Sequence, residues 1–153
     1  MRAICVRQPY AELIARGIKT DEAGRSWEFI ATLRGPIAIC SSTQAHHDDE
    51  TQATARKHGI VISDLPRGVV VCIVDVVDTG HYTEEHFSKE ALCYVNEDTT
   101  YMELVNPRRV TAEPTTHMVR GVRTRGGWLN VFDLGFEPEL ARRQARPIGA
   151  QGG

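Results

Sequence analysis

"LPRGVVVCIVDVVDTG", residues 65–80, is the stretch whose reading decides the fold. A Pro-Arg-Gly turn introduces a run of valine and isoleucine, and Thr79-Gly80 closes it. β-Branched side chains suit a pleated, packed surface, so this run reads as the strongest strand of the chain. Upstream of it, "RAICVRQ" (residues 2–8) and the segment after the Arg-Gly-Pro turn in "LRGPIAICSS" (33–42) read as further strands. Between those two lies "QPYAELIARGIKT" (8–20), with Tyr10, Leu13 and Ile14 at helical spacing, Pro9 suited to the first turn and Gly17 as a stop. "HHDDETQATARKHG" (46–59) predicts a second helix, capped by Asp48 or Asp49, with acids in its first turn and Gly59 at its end.

Downstream, "YTEEHFSKEALCYV" (82–95) is expected to be partly helical, with Thr83 as cap, and "LVNPRRVTAEP" (104–114) to be a turn and an extended segment. "THMVRGVRTRGGWLNVFDL" (116–134) predicts two strands across a Gly-rich hairpin. "EPELARRQARPIGAQGG" (137–153) reads as a polar tail, frayed and partly disordered at its end. Strands outnumber helices, and the connections are too short for regular βαβ crossovers. The expected class is therefore α+β: a twisted or closed antiparallel-rich sheet with surrounding helices.

At 153 residues, 41% of them hydrophobic, the chain can bury one core and not two. No apolar run approaches the roughly 20 residues that span a bilayer, and "MRAICVRQPY" has no long apolar signal region, so a cytoplasmic location is expected. Cys5, Cys40, Cys72 and Cys93 form no CxxC pair and read as reduced, buried apolar residues. The formal charge of −2 conceals a polarised distribution: residues 48–103 alone carry twelve acids against four bases. A protein that coats DNA without specificity needs a broad positive field, which this composition excludes, while a local basic groove remains compatible with it.

The ordered set "VRQPYAELIARGIKT", "GRSW", "RGPIAICSS", "LPRGVVVCIVDVVD", "LVNPRR" and "GGWLNVFDL" resembles the ASCH domain, the activating-signal-cointegrator homology domain of the PUA-like superfamily. The resemblance covers roughly residues 1–135, giving a domain over 1–136 and a tail over 137–153. It implies a small PUA-like β-barrel with helices around an open cleft, and a link to RNA: RNA-binding modules, ribonucleases, and a subgroup that hydrolyses N4-acetylcytidine with a lysine, a threonine and a glutamate. The family motif Gly-x-Lys-x-x-Glu-x-Arg, often followed by Ser-Trp, falls on Gly17, Lys19, Glu22, Arg25, Ser26 and Trp27, with one extra residue between Glu22 and Arg25. Gly24 can absorb that insertion through a positive φ. The threonine of the hydrolase subgroup has no counterpart, because Glu22 stands three residues after Lys19, and Glu90 matches the third residue only thinly.

The expected ligand is thus RNA or a modified nucleoside, in a cleft with the segment Gly17–Trp27 as one wall and with no cofactor. Lys19 and Glu22 would contact the base or phosphate, and Arg25 would pair with a phosphate or a carboxylate. Ser26 shares the motif, and Trp27 or Tyr10 would stack on a base. As an enzyme, the protein would be a ribonuclease or an acylcytidine amidohydrolase, with Lys19 as base and Glu22, Asp75 or Glu90 as acid. The bland alternative for Lys19 and Glu22 is an exposed ion pair worth at most about 1 kcal/mol. Arg7, Arg34, Arg108, Arg109, Arg120, Arg123 and Arg125 are defensible as a positive rim only as a set. In "HHDDE" (46–50) neighbouring side chains diverge and the helical His-x3-His spacing is missing, so capping and surface roles are preferred to a metal site.

Overall fold

The computed structural model describes residues 1–110 and 131–141. Its strands are β1 (Arg2–Gln8), β2 (Asp21–Ala23), β3 (Gly35–Ala45), β4 (Val70–His81), β5 (His86–Ser88), β6 (Cys93–Val95), β7 (Thr100–Arg109) and β8 (Phe132–Asp133). Among the described residues three α-helices accompany them, α1 (Tyr10–Ala15), α2 (Trp27–Ile30) and α3 (Asp49–Lys57), with one 3-10 turn at Ile62–Asp64. Six strands form one sheet in the order β2-β7-β4-β3-β1-β8, while β5 and β6 pair separately. Among the described residues only β1 and β3 run parallel; the other pairings are antiparallel. The expected mixed, strand-rich class is what forms. Among the described residues β2 and β8 are the two ends of the sheet, with no pairing between them.

The valine run sits where its composition demands, as strand β4 between β3 and β7. Alternation along the strands splits the apolar residues between two faces. Ile4, Ile37, Ile39, Val74, Val76, Met102 and Leu104 belong to the main core, which Ile14 of α1 and Ile30 of α2 complete. Ala3, Cys5, Ala38 and Cys40 belong to a second cluster, packed by Phe132 and Leu134. Cys5 stands opposite Cys40 in the parallel ladder, and all four cysteines are free thiols. Asp48 caps α3 by accepting from the Thr51 N–H at 3.1 Å.

Two expectations are corrected. Residues 82–95 form the β5–β6 hairpin instead of a helix, with His86, Phe87 and Ser88 opposite Val95, Tyr94 and Cys93. Cross-strand contacts of aromatic and β-branched residues outweighed the helical propensity of "TEE" and "KEAL"; Phe87 and Tyr94 meet with ring centroids 5.1 Å apart. "LVNPRR" does not turn either. It is the second half of β7, where Asn106 takes φ +55 beside a register shift against β4. The Gly-rich hairpin, Arg120, Arg123, Arg125 and most of the tail lie outside the described residues. Of the tail, Leu140 bridges Val110.

Candidate functional site

The opening half of the charged stretch is no free loop. Gly17 leaves α1 with φ +75, a conformation that a side chain disfavours, and the amides of Ile18 and Lys19 then both donate to the Leu13 carbonyl. The next two amides, of Thr20 and Asp21, donate to the Glu90 carbonyl at 2.9 and 3.0 Å. From there β2 pairs with β7, Glu22 standing opposite Met102. Period-two alternation turns Asp21 and Glu22 to opposite faces. Gly24, at φ +84, takes up the extra residue of the motif and brings Arg25 back to the core side.

Lys19, Glu22 and Arg25 consequently come together, each less than a tenth exposed, in the lining of a cleft of about 390 Å³. The Lys19 amine donates to the Ala91 carbonyl at 2.5 Å and lies 5.4 Å from the centroid of the Tyr10 ring. Arg25 donates through Nη2 to the Cys5 carbonyl, and its Nε stands 3.8 Å from Glu22 Oε1. The other oxygen, Glu22 Oε2, is buried and has no hydrogen-bond partner. Lys19 and Glu22 make no direct ion pair. A buried carboxylate oxygen left unpaired costs free energy, about 1–3 kcal/mol or more, unless something supplies a donor.

The opposite wall comes from α3 and the turn before it. Tyr10 and Thr51 share a 2.8 Å hydrogen bond. Since the Thr51 hydroxyl gives its proton to Asp48 Oδ1 at 2.7 Å, Tyr10 is the donor, and the chain Tyr10–Thr51–Asp48 has one direction. Burial pushes the Tyr10 hydroxyl above its usual pKa of 10.0. His46 meets the Tyr10 ring edge-on at 5.4 Å, and burial and then Arg7 lower its pKa from the usual 6.5. The third wall is the β5–β6 hairpin, whose turn places Ala91, Leu92 and Cys93 in the cleft. Leu92 adopts φ +58 there, a left-handed backbone that costs a leucine about 1 kcal/mol or more. Burial raises the Cys93 thiol pKa against the opposing pull of Lys19.

The remaining expected site residues lie elsewhere. Trp27 opens α2, is 41% exposed and packs at a tilt on His81 with centroids 4.7 Å apart, outside the cleft; Ser26 precedes it as N-cap without a side-chain capping bond. Asp75 is bound to Arg108 at 3.0 Å and to Asn106, and the Arg108 guanidinium holds its pKa below the usual value. Glu90 lends its backbone carbonyl to β2, while its exposed carboxylate meets only Ser88, at 3.4 Å. Of the arginine set, Arg7 reaches the cleft, Arg34 sits by Asp78, and Arg109 is bound to Glu12, which Arg16 also meets. Sequence reading missed the cleft roles of Thr51, His46 and Ala91–Cys93. Asp48 was legible as a cap, but nothing local announces that its helix faces Lys19.

A strand-rich α+β domain, with one face of its charged turn built into a cleft, is the class that these features define. The family model of the ASCH domain matches residues 4–114, and the chain belongs to the ASCH domain family. Comparison with curated proteins gave no match. No helix among the described residues is long and apolar enough to cross a membrane.

Proposed function

We propose that this ASCH domain, PUA-like in kind, binds RNA or a modified nucleoside in the cleft between the Lys19–Arg25 turn, α3 and the β5–β6 hairpin. One observation carries the reading: the unpartnered, buried Glu22 Oε2 beside the sheltered Lys19 amine. A carboxylate oxygen only accepts and an ammonium only donates, so the pair complements a group with an N–H next to a carbonyl or ring nitrogen. Nucleobase edges have that pattern. The volume falls within the roughly 300–1,000 Å³ of small-molecule sites. The Tyr10 ring, fixed by Thr51, takes the stacking role that the exposed Trp27 is too far out to share.

The test is a titration with nucleosides and short RNAs against Lys19→Met, which keeps the stem and removes the charge. A loss of affinity of tenfold or more (about 1.4 kcal/mol) is expected. The variant's unfolding midpoint must be followed in parallel, because the Ala91 carbonyl loses its donor. Unchanged affinity would remove Lys19 from the site.

A second reading, hydrolysis of RNA or of an acylated cytidine, rests on the same oxygen. An unpaired carboxylate in a sheltered cleft is available to carry a proton, with Lys19 as its basic partner. Asp75 and Glu90 stand outside the cleft, so Glu22 is the acid in this reading. Product analysis of N4-acetylcytidine and labelled RNA after incubation with wild type and Glu22→Gln distinguishes it from binding alone.

A further inference from the structure

We propose that the cleft takes its nucleoside free of phosphate: the ligand is an uncharged nucleoside, held by its base edge at Glu22 and by its sugar hydroxyls at an acidic lip. This rests on the nucleic-acid reading above and narrows it.

The charges of the lining are balanced. Arg7, Lys19 and Arg25 face Glu22, Asp48 and Glu50. Two of these cations are already engaged inward, Lys19 with the Ala91 carbonyl and Arg25 with the Cys5 carbonyl. The place where a phosphate would settle best is a helix N-terminus, and α3 does turn its first residues to the cleft. That position is taken by the protein itself. Asp48 accepts both the amide and the hydroxyl of Thr51, at 3.1 and 2.7 Å, and Asp49 and Glu50 fill the first turn. A phosphate entering there would meet carboxylates where a phosphate site offers amides.

Beyond the cleft, four of the described arginines are engaged with carboxylates. Arg109 and Arg16 are bound to Glu12, Arg108 to Asp75, and Arg34 sits by Asp78. Ribose hydroxyls, by contrast, are donors that a carboxylate lip satisfies, as acidic residues do in nucleotide folds that bind a ribose diol. The buried Glu22 Oε2 requires a donor of its own, which a base N–H supplies. An uncharged nucleoside answers both demands; a nucleotide brings the same base edge but sets its phosphate against the carboxylates of the lip.

The experiment is calorimetric titration with the common ribonucleosides, N4-acetylcytidine, their 5′-monophosphates and a short single-stranded RNA. A nucleoside is expected to bind about tenfold or more tightly than its own monophosphate. Glu50→Gln, alone and with Asp48→Asn (which keeps the cap), is expected to narrow that gap by admitting the monophosphate. A monophosphate or RNA that binds more tightly than the nucleoside overturns this inference and leaves the nucleic-acid reading standing. A gap that Glu50→Gln leaves unmoved overturns the role given to the lip. Binding of none of these probes removes the nucleic-acid reading, and this inference with it.

Discussion

Glu12 and Glu22 are both buried glutamates, each within a tenth of full burial, and the chain treats them in opposite ways. Glu12, on α1, is saturated. Arg109 meets both of its oxygens, at 2.7 and 2.6 Å, and Arg16 adds a third bond at 2.7 Å. Its backbone amide is held by the buried Gln8 side chain, which also ties β1 to the Pro66 carbonyl. Glu22 has one long approach from Arg25 and one oxygen with no partner. A carboxylate that the fold needs is surrounded by donors in the folded chain. A carboxylate kept short of donors at a cleft costs stability until a donor is supplied, and the proposed site rests on that cost.

The largest effect expected from this contrast is on Glu12. Glu12→Ala should destabilise the protein by about 2–4 kcal/mol in urea unfolding. That is somewhat below the roughly 3–5 kcal/mol for breaking a fully buried pair, since the Arg109 side chain is 46% exposed. Glu22→Gln should do the reverse: little or no loss of stability, but a loss of nucleoside affinity of about 10–100-fold. If Glu22→Gln unfolds the protein as Glu12→Ala does, the distinction between the two carboxylates collapses.

The same pair gives a pH signature. Burial alone would raise the pKa of Glu12, but Arg109 and Arg16 outweigh it and hold the carboxyl below its usual 4.5. Stability from this group is therefore fully present above the ordinary glutamate range and drains away as pH falls through the lower folded value. Unfolding midpoints followed into acid should fall more steeply for wild type than for Glu12→Gln. Equal slopes would mean that the Glu12 network contributes nothing through its charge.

A smaller effect concerns the aromatic residues. Trp27→Ala should leave nucleoside affinity within about twofold, because Trp27 packs on His81 away from the cleft, while Tyr10→Ala should weaken binding by about 1–3 kcal/mol. The reverse ranking would move the site to α2.

How much of this was legible beforehand follows the range of the interactions. The valine run, the Asp48 cap and the Gly17 stop are local signals, and each formed as its residues dictate. The motif residues Lys19, Glu22 and Arg25 were legible through family resemblance, and the fold gathers them in one cleft. What the sequence hid is long-range. The Ala91 carbonyl that holds the Lys19 amine lies 72 residues away along the chain, and the Arg109 fork on Glu12 lies 97 away. The β5–β6 hairpin misled because its acids and alanine favour a helix, and the cross-strand pairing of His86, Phe87 and Ser88 with Val95, Tyr94 and Cys93 outweighs that preference.

Asp21, the neighbour of Glu22, gives the finest test of the contrast. It faces away from the cleft and stands opposite Glu103 in the β2–β7 ladder, with Tyr82 donating to its Oδ2 at 2.9 Å. Burial raises its pKa above the usual 3.8; Tyr82 and Lys19 oppose that shift, and Glu90 and Glu103 add to it. A group with a raised folded value is an asset while protonated, and that asset is lost as pH rises through the folded value. At neutral pH Asp21 is thus a small liability, and Asp21→Asn, which keeps an acceptor for Tyr82, should stabilise the protein by at most about 1 kcal/mol. The gain should shrink towards zero as the medium is acidified below the ordinary aspartate range, where wild type already carries the proton. Urea midpoints for both proteins, compared from about pH 3 to about pH 7, read this directly. A gain that stays constant across that range would show that shape, not charge, separates the two side chains. The charge cost assigned to burying Asp21 beside Glu90 and Glu103 would then lose its basis.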